Sequence, residues 1–112
     1  MDIHLYKHKA IKYDLLSDED DIVGGVIATD YIEFVELSDL FINTEYQNNK
    51  FATHLIKTAL EDNKGKLICL ECNPFNTGLN KDQLHNWYIK LGFVDGSSYH
   101  SEGEWMSKNN TI

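Results

Sequence analysis

Between residues 40 and 72 the sequence changes its hydrophobic period twice, and no other stretch constrains the fold so tightly. Leu40, Phe41 and Ile42 close an apolar run, and a polar turn follows. Then Ala52, Leu55, Ile56, Ala59 and Leu60 recur at i, i+3, i+4, i+7 and i+8. That spacing gives one apolar face to a helix over residues 50–63. Gly65 is placed to stop it. Residues 67–72 are again largely apolar, the pattern of a strand in the middle of a sheet. Two strands joined by a single helix in this way are expected to run parallel.

The flanking segments add strands and one more helix. Residues 2–8 and 10–16 alternate well enough for two strands, separated from the next by the acidic turn at residues 17–21. Residues 22–28 read as a buried strand whose Gly24 and Gly25 allow close backbone approach. Asp30 and Tyr31 form a turn, and residues 32–43 then make one long strand whose mixed pattern calls for a bulge or bend. Asn80 is an N-cap with Gln83 three residues on, opening a helix over residues 81–91 with Leu84, Trp87, Tyr88 and Leu91 on one face. Gly92 ends it. Residues 93–94 and 104–107 read as a closing antiparallel pair. The expected fold is α+β: a mixed, twisted sheet with two main helices, in a single domain over residues 1–112.

Charge and composition narrow the function. The net charge of −8 repels phosphate backbones, which argues against direct nucleic-acid binding and favours a basic partner. With 42% hydrophobic residues the chain has material for a packed core. No apolar run approaches the roughly 18–20 residues of a membrane span. The first residues lack an apolar leader segment, so a cytoplasmic location is expected. Cys69 and Cys72 are spaced C-x-x-C on a strand, where residues three apart point to opposite faces. They are expected to be buried structural thiols, neither a disulfide nor half of a zinc site. The histidines form no ligand cluster, and no metal is expected. His85 could approach an acceptor site from the second helix.

The polar turn at residues 47–52 leads from a strand end directly into a helix. The first amides of such a helix lack internal partners and, with the helix dipole, make an anion site. An ordinary strand-to-helix turn has the same features. The sequence Gln47-Asn48-Asn49-Lys50-Phe51-Ala52, however, resembles the Q/R-x-x-G-x-G/A pyrophosphate loop of the GNAT family, the Gcn5-related N-acetyltransferases. Leu40-Phe41-Ile42 resembles the family's fourth strand, and Trp87-Tyr88-Ile89-Lys90-Leu91-Gly92-Phe93 contains its Y-x-x-x-G-F pattern. The strand around Val23-Gly24-Gly25-Val26 also fits. The resemblance covers roughly residues 20–107, in the family's order.

This resemblance implies that acetyl-CoA is the cosubstrate. Backbone groups of Leu40, Phe41 and Ile42 would bind its acetyl carbonyl and pantetheine. Amides of Gln47, Asn48, Asn49, Lys50, Phe51, Ala52 and Thr53 would hold its pyrophosphate. Lys50 stands where the family usually has glycine. A turn needing positive φ there would strain a side chain, while an ammonium beside a pyrophosphate would compensate. The resemblance makes Tyr88 the general acid that protonates the departing thiolate. Glu36, eleven residues before Gln47, is similar in placement to the catalytic glutamate of the histone-acetyltransferase branch. It is the candidate base, with Asp39 beside it on the same strand.

One departure bears on the acceptor. Usual family members have two helices between their first two strands, and these wall the acceptor pocket. Only about twenty residues precede Ile22 here. The acceptor side is expected to be open, suiting a protein lysine or N-terminus, or completed by a second subunit in a homodimer. In this abbreviated front end the chain resembles phage-type acetyltransferases. Two further readings stay open: a catalytically degenerate CoA-binding module, and an interaction or inhibitor module that presents its acidic face to a basic partner.

Overall fold

A computed structural model describes residues 8–47, 50–74 and 77–110. The elements are β1 (Lys9–Leu16), β2 (Ile22–Asp30), β3 (Val35–Ile42), a short 3-10 turn (Thr44–Tyr46), α1 (Phe51–Asp62), β4 (Leu67–Glu71), α2 (Lys81–Lys90), β5 (Val94–Asp95) and β6 (Trp105–Asn109). They form one six-stranded sheet in the order β1-β2-β3-β4-β6-β5. The β3–β4 pair is parallel, as the crossover requires, and the other pairs are antiparallel. The strand expected over residues 2–8 lies, apart from His8, outside the described residues.

Both crossovers, β3-α1-β4 and β4-α2-β5, step in the same direction across the sheet. A right-handed connection then puts both helices on the same face. Register and burial agree. Val26, Ala28, Val35, Leu37, Ile68, Leu70 and Met106 share that face by alternation, and they form one buried cluster with Leu55, Ile56, Ala59 and Leu60 of α1 and Leu84 and Tyr88 of α2. Each such aliphatic side chain contributes roughly 1.5–3 kcal/mol on burial. The opposite face carries Glu36, Cys69, Glu71, Trp105 and Ser107. A tight turn at residues 17–21 joins β1 to β2, so no helix intervenes there.

Local chemistry sets the boundaries. The amide of Ile32 donates to Asp30 Oδ1 at 2.8 Å, and that of Tyr31 to the Phe34 carbonyl at 2.9 Å. This turn holds Ile32 at φ 79°. It delays the third strand to Val35, three residues later than the hydrophobic pattern alone suggests. Within β3 the expected bulge falls at Asp39, φ 55°, beside a register shift between Gly25 and Ile27 of β2. Gly25 is needed for close approach: a Cβ there would lie 2.9 Å from the Tyr13 carbonyl oxygen. Asn80 and Gln83 form the full reciprocal capping box at the start of α2. At the other end of α1, the buried Asn110 amide donates to the carbonyls of Leu60 and Asn63 at 2.7 and 2.9 Å, satisfying helix-end acceptors.

The α1 face also holds a group that reports on alkaline stability. The Tyr13 hydroxyl donates to Asp62 Oδ2 at 2.8 Å, and burial, then the Asp62 carboxylate, push its pKa from 10.0 up to about 12. The folded chain keeps this proton more tightly than the unfolded chain. Its contribution is therefore complete below pH 10 and lost as pH rises from 10 towards 12. Urea midpoints measured across that window are expected to fall, and to fall less steeply in Tyr13→Phe. A slope identical in the two proteins would mean that Asp62 and Tyr13 do not interact.

Candidate functional site

The β3–β4 ladder is short. Val35, Glu36 and Leu37 pair with Ile68, Cys69 and Leu70, and there it ends. Beyond it β3 bulges at Asp39 and stays with β2, where Phe41 faces Gly25 and Ile42 faces Gly24. β4 stays with β6, where Glu71 faces Trp105. The two parallel strands therefore splay.

A cavity of about 490 Å³ opens in the splay, lined by Glu36, Asp39, Leu40, Phe41, Ile56, Tyr88 and Trp105 among others. Its walls include Leu37 and Leu70, which point towards the helices, and Glu36 and Glu71, which point away. It thus passes from one side of the sheet to the other.

A second cavity of about 220 Å³ lies at the start of α1, lined by Leu40, Ile42, Lys50, Ala52, Thr53, Thr77, Leu79 and Trp87. Leu40 borders both cavities. The helix begins with Lys50 as N-cap and no side-chain capping bond, and the first helical amide bond runs from His54 to the Lys50 carbonyl at 3.0 Å. The amides of Phe51, Ala52 and Thr53 are thus the open donors of the first turn, and that turn contains no acidic residue. No carboxylate of that turn opposes an anion at these donors, although the protein as a whole is acidic. Lys50 has φ −79° and ψ 16°, a conformation open to any residue. A side chain in place of the family's glycine therefore costs the turn no backbone strain.

Gln47 braces this region. Its amide donates to the Thr44 carbonyl at 3.3 Å, and its side-chain nitrogen to the Ile42 carbonyl at 2.8 Å. The indole of Trp87 donates to Thr53 Oγ1 at 3.2 Å, tying α2 to the first turn of α1. Asn48 and Asn49 lie outside the described residues.

Tyr88 and Glu36 reach the splay cavity from different elements. Tyr88 is 3% exposed, on the inner face of α2 between Trp87 and Phe93. Burial, and secondarily the neighbouring Cys72, hold its phenol pKa well above the usual tyrosine value. The ring therefore carries its proton throughout the neutral range.

Glu36 lies on the helix-free side, about a quarter exposed, with Oε1 3.3 Å from His100 Nε2. His100 is in turn fixed by Ser97, whose Oγ lies 2.7 Å from Nδ1, and by stacking on Trp105 at 3.5 Å between centroids. His85 pairs with Asp95 at 2.7 Å and lines a separate cavity. Cys69 and Cys72 are free and buried, and burial raises both thiol pKa values, the opposite of what a nucleophile needs.

Two site residues escaped sequence reading. Trp105 lies on a strand too short to show a period. His100 sits in the 96–104 connection, where no pattern links it to Glu36.

The chain matches the acetyltransferase (GNAT) domain over residues 12–95. No curated protein matches it by sequence. Solved structures share its fold. A GNAT-family acetyltransferase from Staphylococcus aureus Mu50 superposes with TM-score 0.69 at 17% identity, covering 89% of this chain and 67% of its own. An acetyltransferase from Bacillus cereus gives 0.66 at 18%, covering 90% and 73%. The anti-CRISPR protein AcrVA5 gives 0.63 at 17%, covering 88% of this chain and 96% of its own. At such identities the likeness is one of fold.

Proposed function

Because the chain belongs to the GNAT family of acetyltransferases, we propose that it transfers an acetyl group from acetyl-CoA to a primary amine, a protein lysine or N-terminus. The splay cavity carries this reading: it has Glu36 and Tyr88 in its walls and shares Leu40 with the cavity at the open first turn of α1. In this reading the pyrophosphate meets the amides of Phe51, Ala52 and Thr53, with the Lys50 ammonium close by and Gln47 bracing the turn. The pantetheine then runs past Ile42 and Leu40, and the thioester lies in the splay against backbone groups of Leu40 and Phe41.

The chemistry is a direct displacement. The neutral amine attacks the thioester carbonyl, a C–N bond forms, and the C–S bond breaks. Glu36 takes a proton from the incoming nitrogen and releases it to solvent, and Tyr88 gives its proton to the departing thiolate and regains one from solvent. No acyl-enzyme is needed, in keeping with two inert thiols. An acceptor side with no helix over it among the described residues favours a macromolecular amine.

The test is release of free thiol from acetyl-CoA in the presence of lysine peptides, paired with calorimetric titration of acetyl-CoA. Binding and amine-dependent release are both expected. Binding without release from any amine would leave a degenerate CoA-binding module. No binding at millimolar acetyl-CoA would overturn the reading entirely. Glu36→Gln is expected to lower kcat by about 10²-fold and to change the shape of the pH–rate profile. A profile identical to that of the parent would dismiss Glu36 as the base.

A further inference from the structure

The sheet face away from both helices is covered in part by the 96–104 connection and by no helix among the described residues. A continuous row of rings crosses it. His8 meets Tyr31 at 4.6 Å between centroids, Tyr31 meets Phe34 at 5.1 Å, and Phe34 meets Tyr99 at 4.6 Å and His100 at 5.4 Å. His100 then stacks on Trp105 at 3.5 Å, and Trp105 lines the splay cavity. Tyr99 remains 44% exposed, and Tyr31 and Phe34 are partly so.

Carboxylates follow the same line. Glu33 lies beside the Tyr99 hydroxyl, Glu36 faces His100, and Asp39 and Glu71 line the splay cavity. Lys12, a cation of this face, pairs with Asp14 at 3.6 Å.

We propose that this ring row, flanked by Glu33, Glu36, Asp39 and Glu71, docks a basic, extended segment of the acceptor protein and feeds its target lysine into the splay. Calling the bound segment the acceptor rests on the acetyl-transfer reading above; the surface itself does not. An aromatic ring left partly open to solvent, as Tyr99 is, attracts ammonium and guanidinium groups lying within about 6 Å of its centroid. The carboxylates attract the same groups and repel nucleic acid. A small amine would fill the cavity alone. The row beyond it reaches several residues of extended chain, at roughly 3.3 Å each. Shape and charge thus point to one occupant, a peptide rich in lysine or arginine.

The experiment measures fluorescence anisotropy of labelled peptides with one central lysine and basic, neutral or acidic flanks, with CoA present. The basic peptide is expected to bind at least tenfold tighter than the neutral one, with affinity falling as salt rises. Tyr99→Leu, which keeps apolar bulk and loses the ring, is expected to weaken it about threefold. Phe34→Leu combined with Tyr99→Leu is expected to weaken it about tenfold, with unchanged circular dichroism. Equal binding of basic and neutral peptides, or no effect of the double variant, would overturn the proposal. So would a dimer in sedimentation that buries Tyr99, since the face would then be a self-interface. Thiol release with small amines but no charge preference would leave the transfer reading standing and remove this one. Ring-dependent binding of basic peptides without thiol release would do the reverse.

Discussion

Tyr88→Phe is expected to lower kcat for acetyl transfer by about 10²- to 10³-fold and to leave acetyl-CoA affinity within about twofold. The two effects separate because Tyr88 borders the splay cavity but not the cavity at the start of α1. Phenylalanine preserves the ring packing against Trp87 and Phe93, so the fold should be indifferent to the change. Burial keeps the phenol protonated across the neutral range. The loss should therefore be uniform with pH there, and any alkaline limb in the parent's profile must come from another group. Steady-state thiol release alongside calorimetric titration reads both quantities. Turnover equal to the parent's would remove Tyr88 from the chemistry and leave it as a core residue.

Ile56→Ala is expected to cost about 2–5 kcal/mol, a large share of the roughly 5–15 kcal/mol that holds a domain together. Ile56 is wholly buried on α1, and it lines the wall of the splay cavity together with Val26, Leu37 and Leu70. Truncation there enlarges an existing hole, so the surroundings have little with which to refill it. Thermal denaturation should show a Tm lower by on the order of 10 °C. Acetyl-CoA at a hundred times its Kd should restore about 2.7 kcal/mol if the ligand binds only the folded chain. An unchanged Tm would mean that α1 does not pack on this face as described. A lowered Tm with no rescue by ligand would instead count against CoA binding.

The crossover was legible because its periods are unambiguous. Leu55, Ile56, Ala59 and Leu60, chosen by spacing, are the buried residues of α1. Asn80 and Gln83 announced their helix by capping chemistry that needs only local sequence. The beginning of β3 was not legible. Ile32 and Phe34 look like strand residues, and the bonds from the Ile32 amide to Asp30 and from the Tyr31 amide to the Phe34 carbonyl convert the segment to a turn. Turn chemistry of this kind competes with hydrophobic pattern and here prevails.

The candidate site divides along the same line. A strand end running into a helix N-terminus follows from sequence. The roles of Tyr88 and Glu36 came from family resemblance, because no spacing joins α2 to β3. Their common cavity depends on where the β3–β4 ladder stops, a fact of tertiary pairing. His100, stacked on Trp105, meets Glu36 only after the 96–104 connection folds back to set Ser97 against Cys69 of β4, and nothing in the sequence of that loop foretells it.

The one-sided placement of the helices has a consequence for how such a chain can diverge. The face under α1 and α2 holds the main buried cluster and borders the splay cavity, so substitutions there are paid in stability. The far face rests on a ring row and a loop that contribute little to that cluster. Recognition can therefore be rewritten by surface and loop substitutions while the scaffold stays intact. Lineages sharing this layout could exchange targets rapidly, with the folding core acting as a fixed chassis beneath a replaceable tool face.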